Sequence, residues 1–269
     1  MIEGNFSSRR ALSAALLVAG AALLPMTPAF AQDSDDLRIR VGAGAQSRPQ
    51  YVGADSNEFA PLFDFAMKRG TEQFDFGAPD DSFDIKLYSQ NGFSVGPVAN
   101  YQSGRKNSDV GEPVGRVDPT IEAGIFLQYQ MNESLRLRGE FRKGFGGHKG
   151  GIASLGADYV MRDGDRYTFS IGPRVLLSDG RYQRAWFGVT PQAALLTDLD
   201  EYRPSGGIHG VAATSSMTYQ LGGAFGLFGF ARAERLVGDA ADSPLIRELG
   251  SKTQLSAGLG LTYTFKMKN

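Results

Sequence analysis

The 269-residue sequence has no cysteine, one tryptophan and two histidines. Without cysteine there can be no disulfide and no thiolate metal site. The two histidines, His148 and His209, lack the spacing of a metal-ligand set, so neither a metal nor any other cofactor is expected. Charge of one sign is not in excess either: 28 basic residues face 29 acidic ones, which leaves no nucleic-acid footprint. Beyond the N-terminal region there is no run near the ~18 apolar residues that a spanning helix needs. What is abundant is glycine, at 35 residues, and aromatics, with 18 phenylalanines and 10 tyrosines. So much glycine disfavours a helical protein, while the aromatics suit the interfacial girdles of a β-barrel.

At the N-terminus Arg9 and Arg10 precede an apolar stretch from Ala11 to Leu24, and Ala29-Phe30-Ala31 places small residues at the cleavage positions. This is expected to be a secretory signal over 1–31, leaving residues 32–269 as one domain; the stretch is short for a membrane anchor.

From Leu37 onward the chain alternates. In the stretch 253–265, TQLSAGLGLTYTF, Leu255, Ala257, Leu259, Leu261, Tyr263 and Phe265 fall on one face and small polar residues on the other. Successive strand side chains point to opposite faces, so such a segment is oily on one side only. Similar segments lie near 58–68, 72–77, 83–89, 92–103, 119–130, 134–144, 151–161, 166–177, 207–220 and 225–236. The pattern predicts an all-β transmembrane antiparallel barrel of about twelve strands, with its apolar faces in lipid and its polar faces in the lumen. The connections support this, because short and longer ones alternate. Lys68–Thr71, Gln90–Gly92, Met131–Ser134, Arg162–Arg166 and Leu221–Ala224 read as tight periplasmic turns. Ser47–Asn57, Ala78–Ser82, Gly104–Asp118, Phe145–Gly150, Ser178–Gly206 and Val237–Lys252 read as outer loops. Arg181–Val189 fits either a strand or a loop; counting it as a strand breaks the alternation, so it is placed in the largest outer loop.

Charged residues on these strands must face inward, since a charge at the lipid midplane costs about 2–4 kcal/mol. The expected lumen set is Arg38, Arg40, Lys86, Glu122, Arg136, Arg138, Glu140, Arg142, Asp158, Arg174, Arg232 and Glu234, with Phe126, Phe228 and Phe230 partly filling the space. Such a ladder suits either a solute-selective channel or cross-strand ion pairs in a narrow barrel. His148, Trp186, Phe187, Tyr202, Asp239 and Asp242 fall in outer loops and form a candidate recognition surface or a lid held by lipopolysaccharide. A rim hydrolase using His148 with Asp239 or Asp242 is a further option, but neither a nucleophile elbow nor a paired-acid motif accompanies it, and no enzyme is expected.

The stretches GPVANYQSGR (96–105), VDPTIEAGIF (117–126), LRLRGEFRKGFGGHKG (135–150), LGADYV (155–160), SIGPR (170–174), WFGVTP (186–191), GFARAERLVGDAADSP (229–244) and GLGLTYTF (258–265) resemble the MipA/OmpV family of Gram-negative outer-membrane proteins. The resemblance covers nearly all of 32–269. It implies an exported, monomeric outer-membrane barrel inserted by the barrel-insertion machinery through Phe265, although here four residues follow that aromatic. It also implies a scaffold that links a murein transglycosylase to a murein polymerase. Family members described as surface adhesins or channels supply the alternatives.

Overall fold

A computed structural model describes residues 36–267. The expected signal and its cleavage site lie outside them. Strands β1 (Leu37–Pro49) and β2 (Asn57–Arg69) come first, then two short pieces, β3 (Phe83–Asp84) and β4 (Tyr88–Gln90). The rest are β5 (Phe93–Gln102), β6 (Thr120–Asn132), β7 (Leu135–Gly146), β8 (Gly151–Asp163), β9 (Tyr167–Ser178), β10 (Gly207–Gly222), β11 (Phe225–Leu236) and β12 (Thr253–Met267). All pair antiparallel in one sheet, in the order β2-β1-β12-β11-β10-β9-β8-β7-β6-β5-β3, with β4 also on β5. First and last strands join, from Leu37 opposite Met267 to Ser47 opposite Ala257, which is what curls a meander into a barrel.

The outward faces are the oily ones. Phe59 is 87% exposed and Phe63 75%, and Ile121, Ile125, Phe141, Leu155, Leu259 and Leu261 are exposed around the wall. An apolar belt this continuous cannot face water; it fits hydrocarbon. At the short-turn end Phe93 stacks on Tyr129 at 4.3 Å and Phe225 meets Tyr263 edge-on at 5.1 Å, a girdle at the depth of the lipid head groups.

One stretch departs from the expected wall. Residues 72–77 form no strand, and 78–82 no outer loop; the whole segment 70–82 turns into the lumen. Residues 83–90 do run beside β5, interrupted but connected, as Ile85 N–H donates to Pro97 O and Leu87 N–H to Val95 O. Among the described residues no ladder joins β2 to β3. The reason is electrostatic: on the wall Arg136 and Arg174 share the single carboxylate of Asp158, and Asp81 and Asp80 give each of them a second one.

The long-loop end is closed by a lid. It contains α1 (Asn107–Val110), α2 (Gly180–Phe187), α3 (Pro191–Leu196), α4 (Gly238–Asp242) and α5 (Pro244–Leu249). Arg181–Val189 is therefore neither strand nor irregular loop but mostly α2. Asp179 starts that helix by accepting from the N–H groups of Arg181 and Tyr182, and Thr190 with Pro191 starts α3. Tyr51, Val114, Tyr182, Trp186, Phe187, Leu236, Leu245 and Ile246 bury one another in a second core, distinct from the lipid belt.

Candidate functional site: a plugged, ion-paired lumen

The inward alternation of β6 to β11 gathers the charged side chains into one network. Arg136 is 1% exposed and donates to Asp158 from Nε at 2.9 Å and from Nη2 at 2.6 Å. Arg174 reaches the other Asp158 oxygen at 2.6 Å. Arg142 binds Glu122 at 2.9 Å and also Glu140; Arg138 binds Glu140 at 2.8 Å and packs over the Phe126 ring at 4.2 Å. Arg232 pairs with Glu234 at 2.7 Å. Every strand residue of the expected lumen set is thus inside, and each arginine already has a carboxylate. Arg40 holds Asp64 at 2.7 Å, and Arg38 holds Asp165 at 2.8 Å.

The 70–82 segment supplies carboxylates that the wall lacks. Asp80 accepts from Arg174 Nε at 3.0 Å and Nη2 at 3.1 Å, from Thr214 Oγ1 at 3.0 Å and from Arg232. Asp81 accepts from Arg136 Nη1 at 2.6 Å and Nη2 at 3.2 Å, and Ser82 Oγ donates to Glu140 at 2.7 Å. Nearer the short-turn end the Phe74 ring lies beneath Arg38 and Arg40, at 4.8 and 5.1 Å. Asp75 bridges Lys68 at 2.9 Å and Lys86 at 2.7 Å, so Lys86 faces this segment as expected of an inward residue.

Arg174 depends on two glycines. A Cβ on Gly156 would lie 2.8 Å from its Cδ, and one on Gly172 would lie 1.8 Å from Ala157 O. The β8–β9 pairing skips Ala157 and Asp158, and Arg174 Nη1 bonds Ala157 O at 3.2 Å in that gap. The small residues of SIGPR thus make room for the arginine to fold back over the wall.

Between this network and the lid lies a cavity of about 270 Å³. Its walls include Arg136, Arg142, Arg174 and Arg232, and Gln102, Tyr182 and His209 line its lid side. The lid helices lie over the long-loop end of the lumen, and segment 70–82 enters it from the short-turn end.

The expected recognition residues fare differently. Trp186 is 1% exposed and Phe187 fully buried, so both are core of the lid and not a contact surface; their apolar rings complete the second core. His148 is buried as well: its Nδ1 accepts from Gly150 N–H at 3.0 Å and its Nε2 lies 3.1 Å from Glu122 Oε1. That leaves neither nitrogen for catalysis and makes His148 the clasp of the Gly-rich loop. Tyr202 donates to Asp239 O at 3.0 Å and is half-buried. Asp239 takes the Ser205 N–H and hydroxyl, each at 2.7 Å, which hold its carboxyl below the usual range; Asp242 is exposed.

Asp80, Asp81 and Arg105 are the residues that strand reading missed. Arg105, 2% exposed in the 103–119 loop, has no carboxylate partner among the described residues. It donates to Trp186 O at 2.7 Å and Ala185 O at 3.4 Å, the C-terminal carbonyls of α2, and faces the rings of Tyr51 and Trp186. Burial lowers its pKa to about 10, and the nearby Tyr51 opposes that shift. Burial likewise pushes the Tyr182 phenol up.

The wall, the lipid belt and the charged interior define an outer-membrane β-barrel whose lumen holds segment 70–82. Among solved structures it is similar to the KdgM porin, with 10% identity, 86% of this chain and 99% of that one covered, and a TM-score of 0.35. It is also similar to an outer-membrane channel from Pseudomonas putida F1 (10%, 90% and 100% covered, TM-score 0.41). OprB from Pseudomonas putida is a third, at 9%, with 87% and 94% covered and a TM-score of 0.41. No curated protein matches the sequence. The profile of the MltA-interacting protein MipA family matches residues 41–265, and the chain belongs to that family.

Proposed function

We propose that the protein is a docking barrel of the outer membrane, holding a murein transglycosylase, and through it a murein polymerase, at the membrane surface. The observation that carries this reading is the occupied lumen: with its arginines paired to Asp80, Asp81, Asp158, Glu122 and Glu140, the barrel acts through its rims. The family's description as an interacting protein supports the same reading. At the short-turn end most turns are tight, and the entry of segment 70–82, with Lys68, Glu72 and Asp75, is the largest feature a partner could grip. Export through the N-terminal signal, contact of the outer rim with lipopolysaccharide, and recognition of Phe265 by the insertion machinery complete this reading. The test is capture of murein enzymes from solubilised envelopes by the tagged barrel and by Glu72→Ala/Asp75→Ala. Loss of capture in the variant supports docking there; equal failure of both proteins would sink the docking role.

A second reading, a small-solute channel, is favoured by the arginine-lined cavity. Planar-bilayer recordings of the refolded barrel decide it: stepwise currents that change in Arg138→Ala support a channel, and silence rejects it. A surface adhesin acting through 178–206 and 237–252 has lost Trp186 and Phe187 as contacts, but keeps exposed Leu195 and Leu196.

A further inference from the structure

Two carboxylates of segment 70–82 sit in guanidinium forks as a bound ligand would. Arg174 grips Asp80 through Nε and Nη2, and Arg136 grips Asp81 through both Nη atoms. Planar, two-point recognition of this kind is the way arginine binds a free carboxylate. The chain carrying these acids is held by side chains and not by a strand ladder. Its backbone joins no ladder between residues 71 and 82, and Phe74 is pinned by Asp165 to its N–H and Arg162 to its carbonyl, each at 2.9 Å. The wall position between β2 and β3 has no ladder, and the alternation of Phe74 and Phe76 with Gln73, Asp75 and Gly77 suits a wall strand, so the segment has another place to go. The adjoining cavity carries a second sign of a missing ligand. His209 is 3% exposed and lines it, yet its Nδ1 has no hydrogen-bond partner among the described residues. Buried polar atoms are rarely left so.

We propose that Arg136, Arg174, Arg232 and Thr214 form a binding site for a small dicarboxylate, of which Asp80 and Asp81 are the internal occupant. The exchange conserves charge, because two carboxylates leave the forks and two arrive. A monocarboxylate fills one fork and leaves the other unmatched, which sets the selectivity. The site stands independently of the docking role, since it needs only that the segment moves aside.

Calorimetric titration of the refolded barrel with succinate, acetate and chloride tests this, with heat-modifiable gel mobility confirming the fold of each variant. Wild type is expected to bind succinate weakly, because apparent affinity is scaled by the fraction of unplugged molecules. Asp80→Ala/Asp81→Ala removes the competitor and is expected to bind succinate at least about tenfold more tightly. If that variant fails to fold, Asp80→Asn/Asp81→Asn, which keeps volume, takes its place. Adding Arg174→Met is expected to abolish the gain. No succinate binding by a folded variant, or acetate binding equal to succinate, overturns the proposal.

Discussion

Asp158 ties two arginines of the lumen together. It is 1% exposed and is shared between Arg136, at 2.6 and 2.9 Å, and Arg174, at 2.6 Å. Asp158→Asn keeps the size, removes the charge, and turns one acceptor into a donor facing guanidinium. Removing one partner of a buried ion pair costs roughly 3–5 kcal/mol. Here both arginines retain a second carboxylate, Asp81 and Asp80, so the expected loss is at the lower end, about 3 kcal/mol. With a urea slope of about 3 kcal/mol per molar, the unfolding midpoint falls by about 1 M while the slope stays constant. The assay is a urea titration in lipid vesicles, read by the mobility difference between folded and unfolded barrel on an unheated gel. A change within about 0.5 kcal/mol, the size of an ordinary surface substitution, would refute the reasoning. It would mean that water fills the network and screens its charges.

Other consequences concern the lid and the wall. Arg105→Leu leaves the Trp186 and Ala185 carbonyls without their donor, for a loss of about 2 kcal/mol in lid stability, and Arg105→Lys does not restore the fork. The single tryptophan reports it: emission of Trp186 should shift to the red and acrylamide should quench it, and an unchanged spectrum would refute the role. Asp179→Ala removes the cap of α2 and costs about 1 kcal/mol by the same readout. Burial alone would raise the Asp179 carboxyl, but backbone N–H groups, chiefly that of Tyr182, hold it below its usual value. The unfolded lid therefore takes up the proton first, and lid stability present above the unfolded pKa of about 3.9 is lost as pH falls through the lowered folded value. Asp179→Asn should flatten that acid limb; an identical pH profile would contradict it. Gly172→Ala places a methyl 1.8 Å from Ala157 O, and the refolding yield should collapse; a normal yield would show that β8 and β9 can part there.

Strand periodicity was readable because lipid enforces it: a single charged residue on the outer face is costly, so β6, β7 and β9 alternate almost without exception. The same code misleads at 72–77. Phe74 and Phe76 alternate with Gln73, Asp75 and Gly77 like a wall strand, yet the segment is drawn inside by Asp80 and Asp81. A signal was present. The inward set read from the strands holds more basic than acidic residues, so carboxylates had to come from elsewhere, and two consecutive aspartates after Pro79 were candidates. The lid was less legible. Its helices are short, and the amphipathic run 181–189 shows both periods, although Asp179 and the Thr190-Pro191 pair mark helix starts. Arg105 carried no local signal, because its partners are backbone carbonyls from far along the chain.

The pairing of Leu37 with Met267 also sets a timetable. Nine hairpin-like neighbours can form as the chain emerges, but the first strand must wait for the last to be made. Closing so long a loop is entropically demanding and slow. Until then β1 and its neighbour offer an open, oily ribbon that invites aggregation. Assembly is therefore all-or-none with respect to the C-terminus: a chain truncated before β12 loses not one twelfth of its wall but the joint that ties β1 and β2 to all the other strands.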